Sequence, residues 1–572
     1  MTNYIIITGG VISGLGKGIV TSSIGNLLES SGFNVNVIKI DPYLNVDAGT
    51  MRPTEHGEVF VTYDGGETDQ DLGNYERFID KELSKLCNIT SGQVYKKVID
   101  DERHMKYKGK CVEVVPHIAF EVKRRILEIR DMTKPDFLLI EVGGTIGDYQ
   151  NILFLDALRL MKIEGHKLMF GHVAFLPIPS KLGEMKTKPL QHSVRSLNAC
   201  GIQPNMIFCR SRLPIDNIRR EKIMMFTNVL SKNIISAKDV NNIYEIPMLF
   251  HKNNVTENIL EFFNIDKQKA KQSNFEPIIK KIKKINKKIK IAIIGKYFDI
   301  GNFTLSDSYV SVIEAIKHAS YYNNVIPEVE WIDSKKLEDS DKEVKKLKDY
   351  SGIIVPGGFG SNGVQGKIKA IKFARENNIP YLGLCYGMQL ALVEFCKNVC
   401  NLKNASSDEI NSNSDCKIIN VMDSQKEVLH NNNYGGTMRL GSYAAILKQD
   451  SKVYYLYKEH KRLQKDKDRI ELLKKSNENK FRVGIIKKSD FVILERHRHR
   501  YEVSPEYISK VEDKGMIFSG YHYRQDGTKL MEFIELPNHK FFVATQAHPE
   551  FKSSLKMPSP LFCGFIKACK SK

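Results

Sequence analysis

The 572-residue sequence holds ten cysteines but no Cys-x-x-Cys pair, which argues against a zinc ribbon and, at this length, against a disulfide framework. No apolar run approaches a membrane span. Met1-Thr-Asn-Tyr runs straight into Ile5-Ile6-Ile7 and then glycines, which leaves no room for a signal-peptide apolar region. The final Cys569-Lys-Ser-Lys does not match a prenylation box, and no repeat of solenoid period is visible. These absences lead to the expectation of a cytoplasmic protein in a reducing compartment, with no membrane partner. What is present is an ordinary globular balance, 42% apolar and 27% charged residues, in a chain large enough for more than one core. Basic residues outnumber acidic ones, 86 to 67, and the net charge of +19 favours anionic partners such as nucleotides, nucleic acid or acidic lipid.

Short apolar runs (YIIITGG, VNVIKID, DFLLIEVGG, then IKIAIIGKY, SGIIVPGG, PYLGLC) precede glycine-rich turns and amphipathic stretches. Strands buried on both faces read this way, and their alternation with helical patterns indicates parallel α/β sheets. Residues 267–290 are dense in lysine and read as a solvated helix or tether, or as a nucleic-acid contact. The expected division is therefore a first domain over 1–266, a lysine-rich linker over 267–290 and a second domain over 291–572. Residues 458–490, mixed in charge, read as a surface insertion with helical tendency, and Asn411–Asp415 and His430–Asn433 as low-complexity loops.

After the first strand comes Gly9-Gly-Val-Ile-Ser-Gly-Leu-Gly-Lys-Gly18 and an apolar helical pattern. Such a turn exposes backbone amides at a helix N-terminus, where phosphate oxygens bind and Lys17 adds a point charge; an ordinary tight turn is the alternative. The Walker A match is imperfect, because Gly18 stands where Ser or Thr usually holds magnesium. Lys39, Asp41 and Glu141 come at strand ends, and Asp71 is a further carboxylate able to serve Mg2+. Lys186 and Lys188 flank a threonine before Pro189 and suit a second polyanion, or are merely surface lysines.

In the second half, Cys385 lies in Gly383-Leu-Cys-Tyr-Gly387 between a strand and a helical pattern, the thiol form of a nucleophile elbow. His548 and Glu550, two apart in FFVATQAHPE, read as a base and its orienting carboxylate on one face of an extended segment. Gly357-Gly-Phe-Gly360 can offer amides for an oxyanion. Cys396 and Cys400 read as inert buried thiols.

Taken in order, GGVISGLGKGI, EVGGTIGDYQN, KTKPLQHS, GGTMRLG, ERHRHRYEV and HPEF resemble the CTP synthase family over nearly the whole length, Thr2 to about Lys570. The resemblance implies an α/β fold in two parts: an N-terminal P-loop-like (dethiobiotin-synthetase-like) parallel-sheet domain and a C-terminal class I glutamine amidotransferase α/β domain. It implies an ATP-dependent ligase that aminates UTP to CTP through a 4-phosphorylated UTP, with ammonia from glutamine, as the last step of de novo pyrimidine nucleotide synthesis. Mg2+ as cofactor, activation by GTP, inhibition by CTP, a homotetramer and filaments are also implied.

By motif, Ser13, Gly14, Leu15, Gly16, Lys17, Gly18, Lys39, Asp71, Lys238, Asp239 and Val240 are implied as ATP contacts, and Asp71 and Glu141 as magnesium ligands. Ser13, Asp148, Tyr149, Gln150, Lys186, Thr187, Lys188, Pro189, Leu190, Gln191 and Lys222 are implied for UTP and CTP. Glutamine is implied to meet Gly358, Tyr386, Gly387, Met388, Gln389, Glu409 and Arg500, with Cys385, His548 and Glu550 as the triad. Pro53, His56 and Val59 correspond to an ammonia passage, and Gly435, Gly436, Thr437 and Arg439 to a lid responding to GTP. Residues 458–490 exceed what bacterial members carry. The rival readings are a related synthetase acting on a carboxylate, such as a cobyrinate amidase, and a basic RNA-binding scaffold.

Overall fold

The apolar runs of the N-terminal half form seven strands: β1 (Asn3–Gly9), β2 (Val35–Asp41), β3 (Asn88–Thr90), β4 (Phe137–Val142), β5 (Leu168–Phe175), β6 (Met206–Ser211) and β7 (Ile234–Lys238). They make one all-parallel sheet in the order β3-β2-β4-β1-β5-β6-β7. Every residue of β2 and β4 is buried, the pattern expected of strands covered on both faces. This computed structural model describes residues 2–180, 183–295, 299–300, 303–304, 306–422, 436–476 and 480–571. Among them no helix is long and apolar enough to cross a membrane.

The chain divides into two compact units, one of 1–48 with 71–283 and the other of 49–70 with 284–572. The lysine-rich joint is not the free tether that its composition suggests. Its helix Glu276–Ile282 buries Ile279 and Ile282, Phe275 is fully enclosed, and Ser273 and Asn274 bond to Asn26. The lysines are on the outer face, so charge density hid an apolar stripe.

The second unit is built on a nine-stranded sheet: β8 (Lys288–Gly295), β9 (Ile326–Asp333), β10 (Gly352–Val355), β11 (Tyr381–Leu384), β12 (Arg439–Leu447), β13 (Phe491–His499), β14 (Ile517–Tyr523), β15 (Lys529–Glu535) and β16 (Phe542–Thr545). The order is β9-β8-β10-β11-β16-β15-β14-β12-β13. The first five strands are parallel and the last four join antiparallel. A hairpin of Phe60–Val61 with Glu67–Thr68 belongs to this unit.

The stretch 458–490 is less superficial than expected. Its helix Arg462–Lys475 buries Arg462, Asp466, Ile470 and Leu473, and the Leu494 amide donates to Asp466 at 2.9 Å. Mixed charge concealed this inner face, because Arg462 and Asp466 are themselves on the buried side.

Candidate functional site

In the N-terminal unit the site grows at the carboxyl ends of the strands, where parallel sheets collect ligands. β1 opens into the glycine loop, and α1 (Lys17–Ser30) starts from Gly16, whose φ of 83° suits a residue without Cβ. Ser13 and Gly14 are exposed, whereas the Leu15 side chain is buried. Lys17 Nζ donates to the Gly144 carbonyl at 2.8 Å, and burial pushes its pKa down against the pull of Glu141.

Lys39 pairs with Asp71 and lies 3.4 Å from Glu141 and 3.6 Å from Asp41. Burial raises the pKa of Asp41 and of Glu141; at Asp71 burial is outweighed by Lys39, and the carboxyl falls below its usual range. A Cβ on Gly18 would overlap the Asp71 carboxylate. The place where a hydroxyl would usually serve a metal is thus filled by a carboxylate, which explains the glycine. Asp71 and Glu141 converge on one ammonium, and such a donor set fits magnesium, which takes one or two carboxylates plus phosphates. Among the described residues no group of three or more potential ligands competes for that role.

The residues assigned to the pyrimidine are mixed in exposure. Asp148, Tyr149 and Gln150 stand in the open, with Tyr149 89% exposed. The helix α2 (Lys188–Ala199) carries Pro189 in its first turn. Lys186 pairs with Glu184 at 2.6 Å, Lys188 and Lys222 are exposed, and Gln191 donates to Thr187 at 3.1 Å inside the fold. Leu190 is fully buried in the apolar core, so only its backbone is available to a ligand. Lys238 ends β7, Asp239 pairs with Arg210 at 2.9 Å, and Val240 is half-buried.

In the second unit β11 ends at Leu384, and Cys385 turns the chain into α3 (Tyr386–Asn398) with φ 49° and ψ −100°, a strained non-glycine conformation. The thiol is held by two contacts: Gln546 Nε2 donates to Sγ at 3.5 Å, and Sγ lies 3.7 Å from the Arg498 carbonyl. His548 and Glu550 are not on one face of an extended strand. β16 stops at Thr545, and Glu550 lies in a 3-10 turn, Pro549–Lys552, that curls back on His548. The turn, started by Pro549, brings Nδ1 of His548 to 2.7 Å from Glu550. Burial opposes protonation of His548, but Glu550 and the Cys385 sulfur outweigh it and push the ring up to about 10.

Around this centre, a Cβ on Gly357 would lie 2.9 Å from His548 and 3.7 Å from Cys385, so the glycine loop borders the thiol. Glu409 accepts from the Gly360 amide at 2.6 Å, and the Tyr386 hydroxyl donates to the Gly360 carbonyl at 2.9 Å. Gly358 lies near the buried Lys367 ammonium. Gly387 and Met388 are buried in the first turn of α3, and Gln389 donates to Gln546 at 3.2 Å. Arg500 donates to the Thr437 hydroxyl at 3.0 Å, a bond between a position the motifs assign to glutamine and one they assign to the lid. Arg439, which the motifs assign to the lid, starts β12, is buried, and pairs with Glu532 at 2.7 Å and Glu502 at 3.2 Å. Gly436 is described; Gly435, like His430–Asn433, lies outside the described residues.

A cavity of about 110 Å³ opens beside Cys385 and His548, and Pro53 and Val59 are in its wall. His56 pairs instead with Asp69 at 3.4 Å.

Residues 3–265 match the family described as CTP synthase N-terminus, and residues 304–494 and 487–568 match glutamine amidotransferase class-I. The chain is 47% identical to the CTP synthase of Sulfolobus acidocaldarius over the whole length of both. It is 45% identical to that of Saccharolobus solfataricus over 99% of each chain. The identity to that of Pyrococcus furiosus is 43%, over 100% of this chain and 98% of the relative. The chain belongs to the CTP synthase family.

Within this CTP synthase fold, two residues at the sites escaped motif reasoning. Tyr75 donates to Glu141, and its spacing of four from Asp71 on one helix was a readable sign. Gln546, two before His548, left no such sign, since only the fold brings a strand end to the thiol.

Proposed function

We propose that the chain makes CTP by two linked reactions, and that the Cys385–His548–Glu550 arrangement beside a small cavity is the observation that carries this reading. In the second unit the Cys385 sulfur attacks the side-chain carbonyl carbon of glutamine. The amides of the glycine loop receive the developing oxyanion, an effect worth ~3 kcal/mol per donor. With its ring protonated, His548 gives a proton to the departing nitrogen, and Glu550 keeps the imidazolium oriented. Water then cleaves the thioester to glutamate and restores the thiol. The ammonia leaves past Val59 and Pro53, which line the cavity beside the thiol.

In the N-terminal unit the glycine loop and Lys17 hold ATP, and Lys186 with the exposed Lys188 and Lys222 holds the second triphosphate, UTP. The γ-phosphoryl group of ATP passes to O4 of UTP, which leaves ADP; ammonia then adds at C4 and expels phosphate to give CTP. Asp71 and Glu141 would hold Mg2+, which neutralises charge on the phosphates when bound. GTP activates and CTP inhibits in this reading, and the exposed Phe120, Tyr149 and Ile152 suit burial in a homotetramer.

The test is UTP amination measured with glutamine or ammonia, with and without GTP. CTP from both nitrogen sources, with GTP raising only the glutamine-driven rate, is the expected result. ATP consumed with a carboxylate acceptor and none with UTP would favour the cobyrinate-type alternative.

A further inference from the structure

The stretch between the lid and ERHRHRYEV reaches across the second unit to the hairpin at Phe60–Thr68. Arg469, on the insertion helix, lies over the Tyr63 ring at 4.1 Å from its centroid. Arg482, only 8% exposed, donates through Nη2 to the Asp64 carbonyl at 3.1 Å and through Nη1 to the Leu440 carbonyl. One guanidinium fork therefore ties the hairpin tip to the second residue of β12. Its guanidinium carbon lies over the Tyr443 and Phe481 rings, 5.3 and 5.2 Å from their centroids.

The backbone is shaped for this contact. Gly65 and Gly441 have φ of 86° and 91°. A Cβ on Gly65 would lie 2.8 Å from Nη2, and one on Gly441 would overlap Nη1. The Ser442 amide donates to the Tyr63 carbonyl at 2.8 Å and closes the tip onto β12. Arg496 bonds to the Val61 carbonyl and Arg498 to Glu67, so the hairpin's strands are held by the ERHRHRYEV segment and its tip by the insertion. The hairpin follows directly on Val59, which with Pro53 lines the cavity beside Cys385. β12 begins at Arg439, two residues after Thr437 of the lid.

We propose that Arg482 and Arg469 are positioning residues that pin the hairpin tip to the start of β12 and so keep Val59 and Pro53 in the wall of the ammonia cavity. The inference rests on the passage reading above. Ammonia that meets a gap in that wall escapes to water, where most of it is protonated and cannot attack UTP. A small displacement of the wall is enough for loss, because the proximity advantage of an enclosed nucleophile is large.

The experiment uses the full chain. Glutamate and CTP formed with glutamine, CTP formed with ammonia, and Tm are measured for the parent, Arg469→Leu, Arg482→Met, Arg482→Lys and Val59→Phe. Arg469→Leu and Arg482→Met are expected to form on the order of tenfold more glutamate per CTP, with ammonia-driven synthesis unchanged. Arg482→Lys keeps the charge without the fork and should fall between. Equal glutamate and CTP from a folded Arg469→Leu would overturn the proposal, as would ammonia-driven synthesis that falls in step with the glutamine-driven rate. Arg469 is half-buried, so its variant decides the matter if Arg482→Met does not fold. Val59→Phe separates the two readings: if it stays coupled, the passage reading fails, whereas if it uncouples while both arginine variants stay coupled, only the clamp fails.

Discussion

At Cys385 the backbone strain is imposed by β11 and α3, not by the thiol, so alanine can take the same turn without disturbing its neighbours. Cys385→Ala is therefore expected to lower glutamine-driven CTP formation by at least about a thousandfold while ammonia-driven formation persists. Assays with the two nitrogen sources check this, and loss of both rates in a folded variant would contradict separate chemistry. His548 supports a second expectation. Its ring is raised from an ordinary 6.5 to about 10 by Glu550 and the cysteine sulfur against the cost of burial. The folded state binds this proton more tightly than the unfolded state, so the stabilisation is complete below about pH 6.5 and is lost as pH rises through 10. Glu550→Gln removes the main source of that binding. The gap in Tm between parent and variant, on the order of a few degrees, is expected to be widest near pH 6 and to narrow toward pH 10. Calorimetry across that range reads it directly, and a gap that widens with pH would reverse the assignment.

Among the elements, the insertion helix Arg462–Lys475 departs most from its sequence appearance. It packs Ile470 and Leu473 against Ala444, Ile446 and Leu494, and a buried carboxylate, Asp466, caps the amide of Leu494. Ile470→Asp places an unpaired charge in that cluster and is expected to cost roughly 3 kcal/mol, measured as a shift of the urea midpoint. An unchanged midpoint would mean that the helix is merely surface. The parallel strands were legible because residues buried on both faces leave unbroken apolar runs, as in Ile5-Ile6-Ile7 and Leu138-Leu139-Ile140. The elbow at Cys385 was legible because its glycines flank the nucleophile in the chain. The turn that joins His548 to Glu550 was not, since two residues in alternation read as strand until Pro549 starts a 3-10 turn. The insertion and the joint were hidden for a common reason. Their buried faces are narrow, and the lysines that dominate their composition are all on the other side.

On the scale of the whole molecule, the segment 49–70 belongs to the unit formed by the C-terminal half although it is encoded within the N-terminal half. Ser311 donates to Glu58 at 2.5 Å, Arg498 to Glu67 at 2.8 Å, and Phe60 meets Phe551 edge-on at 5.1 Å. Sequence order could not reveal this exchange, because nothing in the local pattern of 49–70 names its partners. Its consequence is that part of the wall beside Cys385, Pro53, Glu58 and Val59, comes from chain that continues in sequence into β2 on one side and into the helix that starts at Asp71 on the other. In the proposed reading, a nitrogen released at the thiol meets Pro53 and Val59 of this segment first. If ammonia stays on that path, glutamine labelled in its amide nitrogen should give labelled CTP even with a roughly tenfold excess of unlabelled ammonia in solution at neutral pH, because the enclosed nucleophile outcompetes the dissolved one. Mass spectrometry of the product base reads the outcome. Label diluted in proportion to the external pool would show that the ammonia had equilibrated with solvent before it reached the pyrimidine.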